Sequence, residues 1–200
     1  VTIGNFDGVH LGHQKLIGIA RNEANRLGMQ AAILTFHPKP IAVFDKASAP
    51  LDLLTPERKR FLFQRLGMDN ALFQRFDNTF ADLSAASFAE DVLVKALHAK
   101  VVVIGRNFKF GKNRSAGIPE LTELGRRLGF AVETTPLAEL EGEVVSSSRI
   151  RSFLGQGNVR KAAELLTRRY ELSGRVAKDR QVGRTIGFPT VNLEDIRVLL

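Results

Sequence analysis

Apolar residues recur with two different periods along the chain, and each change of period marks an element. Residues 1–5 form a short apolar strand, followed by a Gly-rich turn from Phe6 to Gly12. Over residues 13–28, Leu16, Ile17, Ala20, Ala24 and Leu27 fall at helical spacing, with Gly28 where a C-cap belongs. AAILTF, 31–36, predicts a second strand that Pro38 and Pro40 cut off. Residues 56–66 read as a helix with Pro56 in its first turn, 70–76 as a strand, 84–98 as an amphipathic helix and 100–105 as a buried strand. A helix over 118–128, a strand over 130–136 and two short helices near 148–155 and 159–167 complete the series. Strands alternating with helices, with β-branched runs such as VVVI, predict an α/β fold whose parallel sheet is covered on both faces. Near Arg168 the pattern changes. Residues 170–200 hold strand-like segments and a Gly-rich stretch with no helical period, which reads as the start of a second, β-rich domain.

Composition narrows the class. The 200 residues are 44% hydrophobic and 25% charged, an ordinary globular balance that excludes disordered and collagen-like chains. There is no Cys, which excludes disulfides, thiolate zinc sites, iron–sulfur clusters and cysteine nucleophiles. No apolar run approaches the roughly 20 residues needed to span a bilayer, and the opening at Val1 has no basic leader region, so a cytoplasmic, membrane-free protein with a clipped N-terminus is expected. The net charge is +8, of which residues 101–200 carry +6, with 17 Lys/Arg against 11 Asp/Glu. The bases cluster at Arg106, Lys109, Lys112 and Arg114, at Arg149, Arg151, Arg160 and Lys161, and at Arg175, Lys178, Arg180 and Arg184. Such clusters attract phosphorylated small molecules or nucleic acid, or serve only as a solubilising surface.

Four stretches carry chemistry. Gly4-Asn5-Phe6-Asp7-Gly8-Val9-His10-Leu11-Gly12-His13 lies between the first strand and the first helix. Free N–H groups at a helix start and two imidazoles there suit phosphoryl oxygens, and Gly8 and Gly12 permit close backbone approach. Gly105-Arg106-Asn107-Phe108-Lys109-Phe110-Gly111-Lys112 follows another strand and so shares the same sheet edge. Its bases suit phosphates and its Phe rings suit a planar heterocycle, although Phe in such loops also serves as core and Asn107 could cap a turn. Ser146-Ser147-Ser148-Arg149-Ile150-Arg151 precedes a short helix, with the final core strand expected to end near Val145. This is either an ordinary N-cap or an anion cradle. The fourth, Gly183-Arg184-Thr185-Ile186-Gly187-Phe188-Pro189-Thr190-Val191-Asn192, offers Thr190 and Asn192 oxygens suited to Mg²⁺.

Together these stretches, with TFHPKP, LTPERK and FDNTFADLSAASF between them, resemble the bacterial bifunctional riboflavin kinase/FAD synthetase family over nearly the whole chain. The resemblance implies an adenylyltransferase module over residues 1–168, built on a nucleotidylyltransferase-type Rossmann-like parallel sheet. Residues 169–200 would begin a β-barrel riboflavin kinase module, incomplete here. It implies ATP and FMN as substrates, FAD as product, riboflavin as substrate of the complete kinase, and Mg²⁺ as cofactor. By the same resemblance His10, His13, Asn107 and Arg149 are the catalytic candidates. Gly4, Asn5, Phe6, Asp7, Gly8, Gly12, Ser147 and Ser148 would bind nucleotide phosphates, Asn107, Phe108 and Phe110 the flavin, and Thr190 and Asn192 the kinase's ATP and Mg²⁺. Lys39 stands where the family commonly has His, Ser148 where it has Thr, and Val191 where it has Ala. Two rivals are a nucleotidylyltransferase with another acceptor and a nucleic-acid-binding protein. The first lacks a following kinase stretch, and the second is opposed by bases that sit beside Gly turns and by a single Tyr and no Trp for stacking. Oligomeric state is left open.

Overall fold

The computed structural model describes residues 1–177, 187, 191–196 and 198. Its core is a parallel sheet of β1 (Thr2–Ile3), β2 (Ala32–Phe36), β3 (Asn70–Gln74), β4 (Val101–Gly105) and β5 (Ala131–Thr135), in the order β3-β2-β1-β4-β5. Alternation along β4 explains the two layers. Val102 and Ile104 join one apolar cluster, and Val101 and Val103 join the cluster on the other face, because successive side chains of a strand point to opposite sides. The second cluster is closed by α1 (Leu11–Leu27), through Ile17, Ala20 and Ala24. α2 (Pro40–Phe44) follows β2, and α3 (Pro56–Arg65) adds Leu62 and Phe63 to the same cluster. The opposite face is covered after α4 (Asn78–Ala81) by α5 (Ala85–Ser87), which runs on as π-helix over Phe88–Ala96, and by α6 (Ile118–Leu128). Each fully buried Leu or Ile here contributes about 1.5–3 kcal/mol.

Local signals end the elements where the sequence suggests. Gly28 closes α1 in the left-handed region (φ 63), and Met29 N–H reaches Ala24 O at 2.8 Å, a Schellman cap. Three expectations shift. The first strand is shorter than residues 1–5, because the chain turns at Phe6 (φ 46) and α1 starts already at Leu11. The last core strand ends at Thr135, not near Val145. The residues between form the hairpin β6 (Glu139–Leu140) and β7 (Glu143–Val144), outside the core sheet. Val145 instead joins a third apolar cluster with Leu53 and with Ile150, Leu165 and Leu166 of α7 (Ser147–Gly155) and α8 (Val159–Leu166). Beyond it, β8 (Arg175–Ala177) and β9 (Asn192–Glu194) pair antiparallel, in keeping with a strand-rich second part.

The strand order reverses between β1 and β4. In open α/β sheets the crevice beyond the carboxyl ends of the strands at such a point is where ligands bind.

Candidate active site

The loop leaving β1 sits at that crevice and is bent tightly. Phe6 (φ 46), Gly8 (φ 87) and Val9 (φ 43) are all left-handed, and Val9 N–H closes the turn on Phe6 O at 3.2 Å. Phe6 is fully buried and its ring abuts Phe63 and His13 at 5.5 and 5.2 Å, which anchors the loop to the core. A side chain at Gly8 would meet Leu53 at 3.0 Å, and one at Gly12 would meet the His10 ring at 3.2 Å. Gly12 therefore lets the imidazole of the preceding turn lie against α1.

His10 and His13 are stacked, with ring centroids 3.6 Å apart and planes 21° apart. Both line a cavity of about 470 Å³ at the crevice. Burial lowers the pKa of His10 to about 4, helped by the positive charge of Arg168. Burial also holds His13 well below the ordinary range, with His10 and Lys59 acting in the same direction. Both imidazoles are thus neutral at pH 7, and the Nδ1 atoms of both are buried with no hydrogen-bond partner among the described residues. A neutral imidazole offers one N–H donor and one acceptor.

A charged network the local pattern did not reveal lies beside the pair. Asp7, 5% exposed, accepts from Leu53 N–H at 2.8 Å, pairs with Arg151 and lies 3.9 Å from Lys39. Lys39 turns to Asp52 at 2.9 Å and to Pro50 O. Lys59 is buried with its ammonium 3.0 Å from Asn5 O; burial lowers its pKa, and Asp7 and Asp52 oppose the shift. Asp7 and Asn5 therefore hold the loop's shape through their own contacts, while the cavity is bordered by Gly4, Asn5, Phe6, Asp7 and Gly12 together. Gly8 lies behind the wall, against Leu53, Leu166 and Ile150.

The loop after β4 forms the opposite side. Gly105, Asn107, Phe108, Lys109 and Arg114 border the same cavity. Phe110, read from sequence as a flavin contact, is a core residue: it is 6% exposed, packs against Phe88 at 5.5 Å and bridges to Ala116. Its ring stacks on Phe108 at 5.6 Å, so Phe110 backs the ring that does face the cavity.

The Ser run closes the third side. Ser146 is the N-cap of α7, its Oγ accepting from Arg149 N–H at 3.2 Å, and Ser147 Oγ donates to Asp7 O at 2.7 Å. Ser146, Ser147 and Ser148 all border the cavity at a helix N-terminus, which favours an anion. Arg149 is turned instead to the β6–β7 hairpin. Its guanidinium reaches Leu140 O and Glu143 O at 3.4 and 3.3 Å, pairs with the Glu143 carboxylate at 2.7 Å and lies over Phe153. If the guanidinium only holds the hairpin, with Glu143 largely exposed, Arg149→Ala should cost about 1 kcal/mol of stability or less and leave turnover per folded molecule nearly unchanged. A loss well beyond tenfold in steady-state kinetics would put the guanidinium on the phosphates.

Among the described residues no three His, Cys, Asp or Glu side chains are placed to hold a metal ion. The Asp7 carboxylate beside the cavity is already engaged by Leu53 and Arg151. The described side chains around the cavity thus form no three-ligand metal site of their own. Thr190 lies outside the described residues, and Asn192 opens β9.

A cleft at the switch point of a parallel sheet, entered by the starts of α1 and α7 and holding a neutral His pair, defines a nucleotidyltransferase-like α/β protein. The FAD synthetase model matches residues 1–149, and the chain belongs to that family. A riboflavin kinase model matches residues 166–199. The bifunctional riboflavin kinase/FMN adenylyltransferase of Haemophilus influenzae is 38% identical over 193 residues, covering 96% of this chain and 63% of its own length. That of Escherichia coli is 38% identical over 195 residues, covering 96% and 62%. The chain thus spans a little over three fifths of these relatives. A crystal structure described as a macrolide-efflux protein from Streptococcus pneumoniae superposes with a TM-score of 0.88 at 32% identity, over 100% of this chain and 65% of that one. Among the described residues no helix is long and apolar enough to cross a membrane.

Proposed function

We infer that the protein transfers AMP from ATP to FMN. An oxygen of the FMN phosphate attacks the α-phosphorus of ATP, the bond to the β-phosphate oxygen breaks, and FAD and pyrophosphate result. The observation that carries this reading is the stacked, neutral His10–His13 pair at the start of α1, in a cleft that Asn107 and Phe108 face from β4. The chemistry needs no covalent protein nucleophile; positioning and stabilisation of developing charge suffice. The His N–H groups donate to phosphoryl oxygens, the N-terminus of α7 with Ser147 and Ser148 receives the pyrophosphate end, and Phe108 covers the flavin ring. ATP arrives with its Mg²⁺. Lys109 and Arg114 add positive charge where the anionic substrates meet.

Residues 1–168 form the adenylyltransferase module in this reading. Residues 169–200 open a kinase module that makes FMN from riboflavin in a protein of the relatives' full length, with Thr190 and Asn192 its ATP and Mg²⁺ residues. The protein works on soluble nucleotides in the cytoplasm. The nucleic-acid reading loses support because several of the clustered bases are engaged within the chain: Arg151 by Asp7, Lys112 by Asp82 at 2.9 Å and Arg149 by Glu143.

Purified protein incubated with FMN, ATP and Mg²⁺ should form FAD, read by chromatography and by the drop in flavin fluorescence. Nicotinate mononucleotide or phosphopantetheine in place of FMN should give no adenylylated product. Asn107→Ala should lower turnover with FMN about tenfold, one lost transition-state hydrogen bond, while the melting temperature stays within a few degrees. An early-melting variant with normal activity per folded molecule would instead make Asn107 a turn residue.

A further inference from the structure

The two family models leave a gap between residues 149 and 166, yet the loop that carries His10 is fastened from beyond it. Arg168 Nη2 donates to Gly8 O at 2.6 Å, and its Nη1 donates to Val9 O at 3.2 Å and to Leu166 O at 3.1 Å. The two N–H groups of Gln14 Nε2 bridge the same two carbonyls, Val9 O at 3.0 Å and Leu166 O at 3.2 Å, and the Thr167 hydroxyl donates to Gln14 Oε1 at 3.1 Å. The result is a closed ring of hydrogen bonds joining the loop, α1 and the end of α8. Thr167, left-handed at φ 58, ends α8 and turns the chain so that Arg168 comes back onto the loop.

We propose that Arg168, seconded by Gln14, is a positioning residue for adenylyl transfer: from the stretch matched by the riboflavin kinase model, it fixes the two left-handed residues ahead of His10. The inference rests on the adenylyl-transfer reading. A β-branched residue such as Val9 is unfavourable at φ 43 and persists only where its surroundings over-determine it. Val9 is 1% exposed, so its carbonyl depends on protein donors. Release of those carbonyls lets the turn relax toward ordinary dihedrals, and His10, the next residue, moves with it and out of its stack on His13. The guanidinium suits the task because its rigid, planar N–H groups reach three carbonyls on two segments in a fixed geometry, where an ammonium is a compact charge on a flexible stem. The adenylyl site is accordingly set by residues 166–168, in the segment that joins the two modules.

The test uses the full chain, with two readouts on wild type, Arg168→Met and Arg168→Lys: steady-state FAD formation, and the imidazole ring signals of His10 and His13 in NMR spectra. Arg168→Met should lower kcat at least about tenfold while the KM for ATP changes less than about threefold, and Arg168→Lys should recover part of the loss. The ring signals should shift in the Met variant while the amide pattern of the sheet is kept. Rings that stay in place in Arg168→Met overturn the proposal whatever the rate, as does an unchanged kcat. Absence of FAD formation by the wild type sinks the adenylyl-transfer reading, and the ring signals then decide the positioning role by themselves. Should Arg168→Met fail to fold, Gln14→Leu removes the second bridge. A severalfold loss of kcat with shifted rings supports the proposal there, and unchanged rings overturn it.

Discussion

His10→Ala and His13→Ala should each slow FAD formation at least about tenfold, the size of one good hydrogen bond of roughly 1.4 kcal/mol made in the transition state. The effect should fall on kcat more than on the KM for ATP, because the donors act on charge that develops as pyrophosphate leaves. A melting curve on each variant separates the catalytic loss from the packing lost with a buried ring. Neither Nδ1 has a partner among the described residues, so truncation breaks no internal bond through that atom. The pair also gives a pH signature. His10 titrates near 6.5 in the unfolded chain and near 4 in the fold, so the unfolded state takes up the proton first as pH falls. Its contribution to stability is complete above pH 6.5, declines as pH drops and has cost about 3 kcal/mol by pH 4. His13 shifts the same way and steepens the decline. Urea unfolding at pH 7 and pH 4.5 measures it: His10→Gln should flatten the difference, and an equal decline in wild type and variant would show that the ring is not held neutral by burial.

Much of this site was legible because its signals are local. His-x-Gly-His at a strand–helix junction, the Gly28 cap and the Ser run before α7 each declare themselves within a few residues. The two Phe residues after β4 show where local reading stops. Phe108 and Phe110 are two apart and equally apolar, yet Phe108 borders the cavity and Phe110 is core, a difference set by the bridge to Ala116. Arg149 and Arg151 share one basic cluster, and the resemblance singled out Arg149; in the fold Arg149 holds a neighbouring hairpin, whereas Arg151 reaches Asp7 across 144 residues. Lys59 under Asn5 and Arg168 on Gly8 are likewise pairings between distant segments. The π-helix over 88–96 kept the amphipathic spacing of an α-helix, so nothing in the pattern distinguished it.

Asp7→Ala should cost about 3–5 kcal/mol of stability, a large part of the 5–15 kcal/mol typical of a domain, and lower the melting temperature by about 10 °C. Asp7 is the acceptor on which the wall of the site converges: Leu53 N–H, Arg151 and, at 3.9 Å, Lys39. Its removal leaves Arg151 and Lys39, both nearly buried, beside the buried Lys59, with Asp52 as the remaining carboxylate among them. Uncompensated charge in that setting is expensive, far more than the pair itself is worth against an apolar substitute. Asp7→Asn separates the two contributions, because it keeps an oxygen for Leu53 N–H and loses only the charge. It should fall between wild type and Asp7→Ala. Replacing both partners, Asp7→Ala with Arg151→Met, should be less destabilising than the two single changes added together, since each alone strands the other's group. Activity should follow stability only in part: Ser147 Oγ bonds the backbone carbonyl of residue 7, which the substitutions retain, so α7 keeps one tie to the loop. Thermal and urea melts on the single and double variants decide the matter, and strict additivity would mean that Arg151 takes its place from Leu51 O alone.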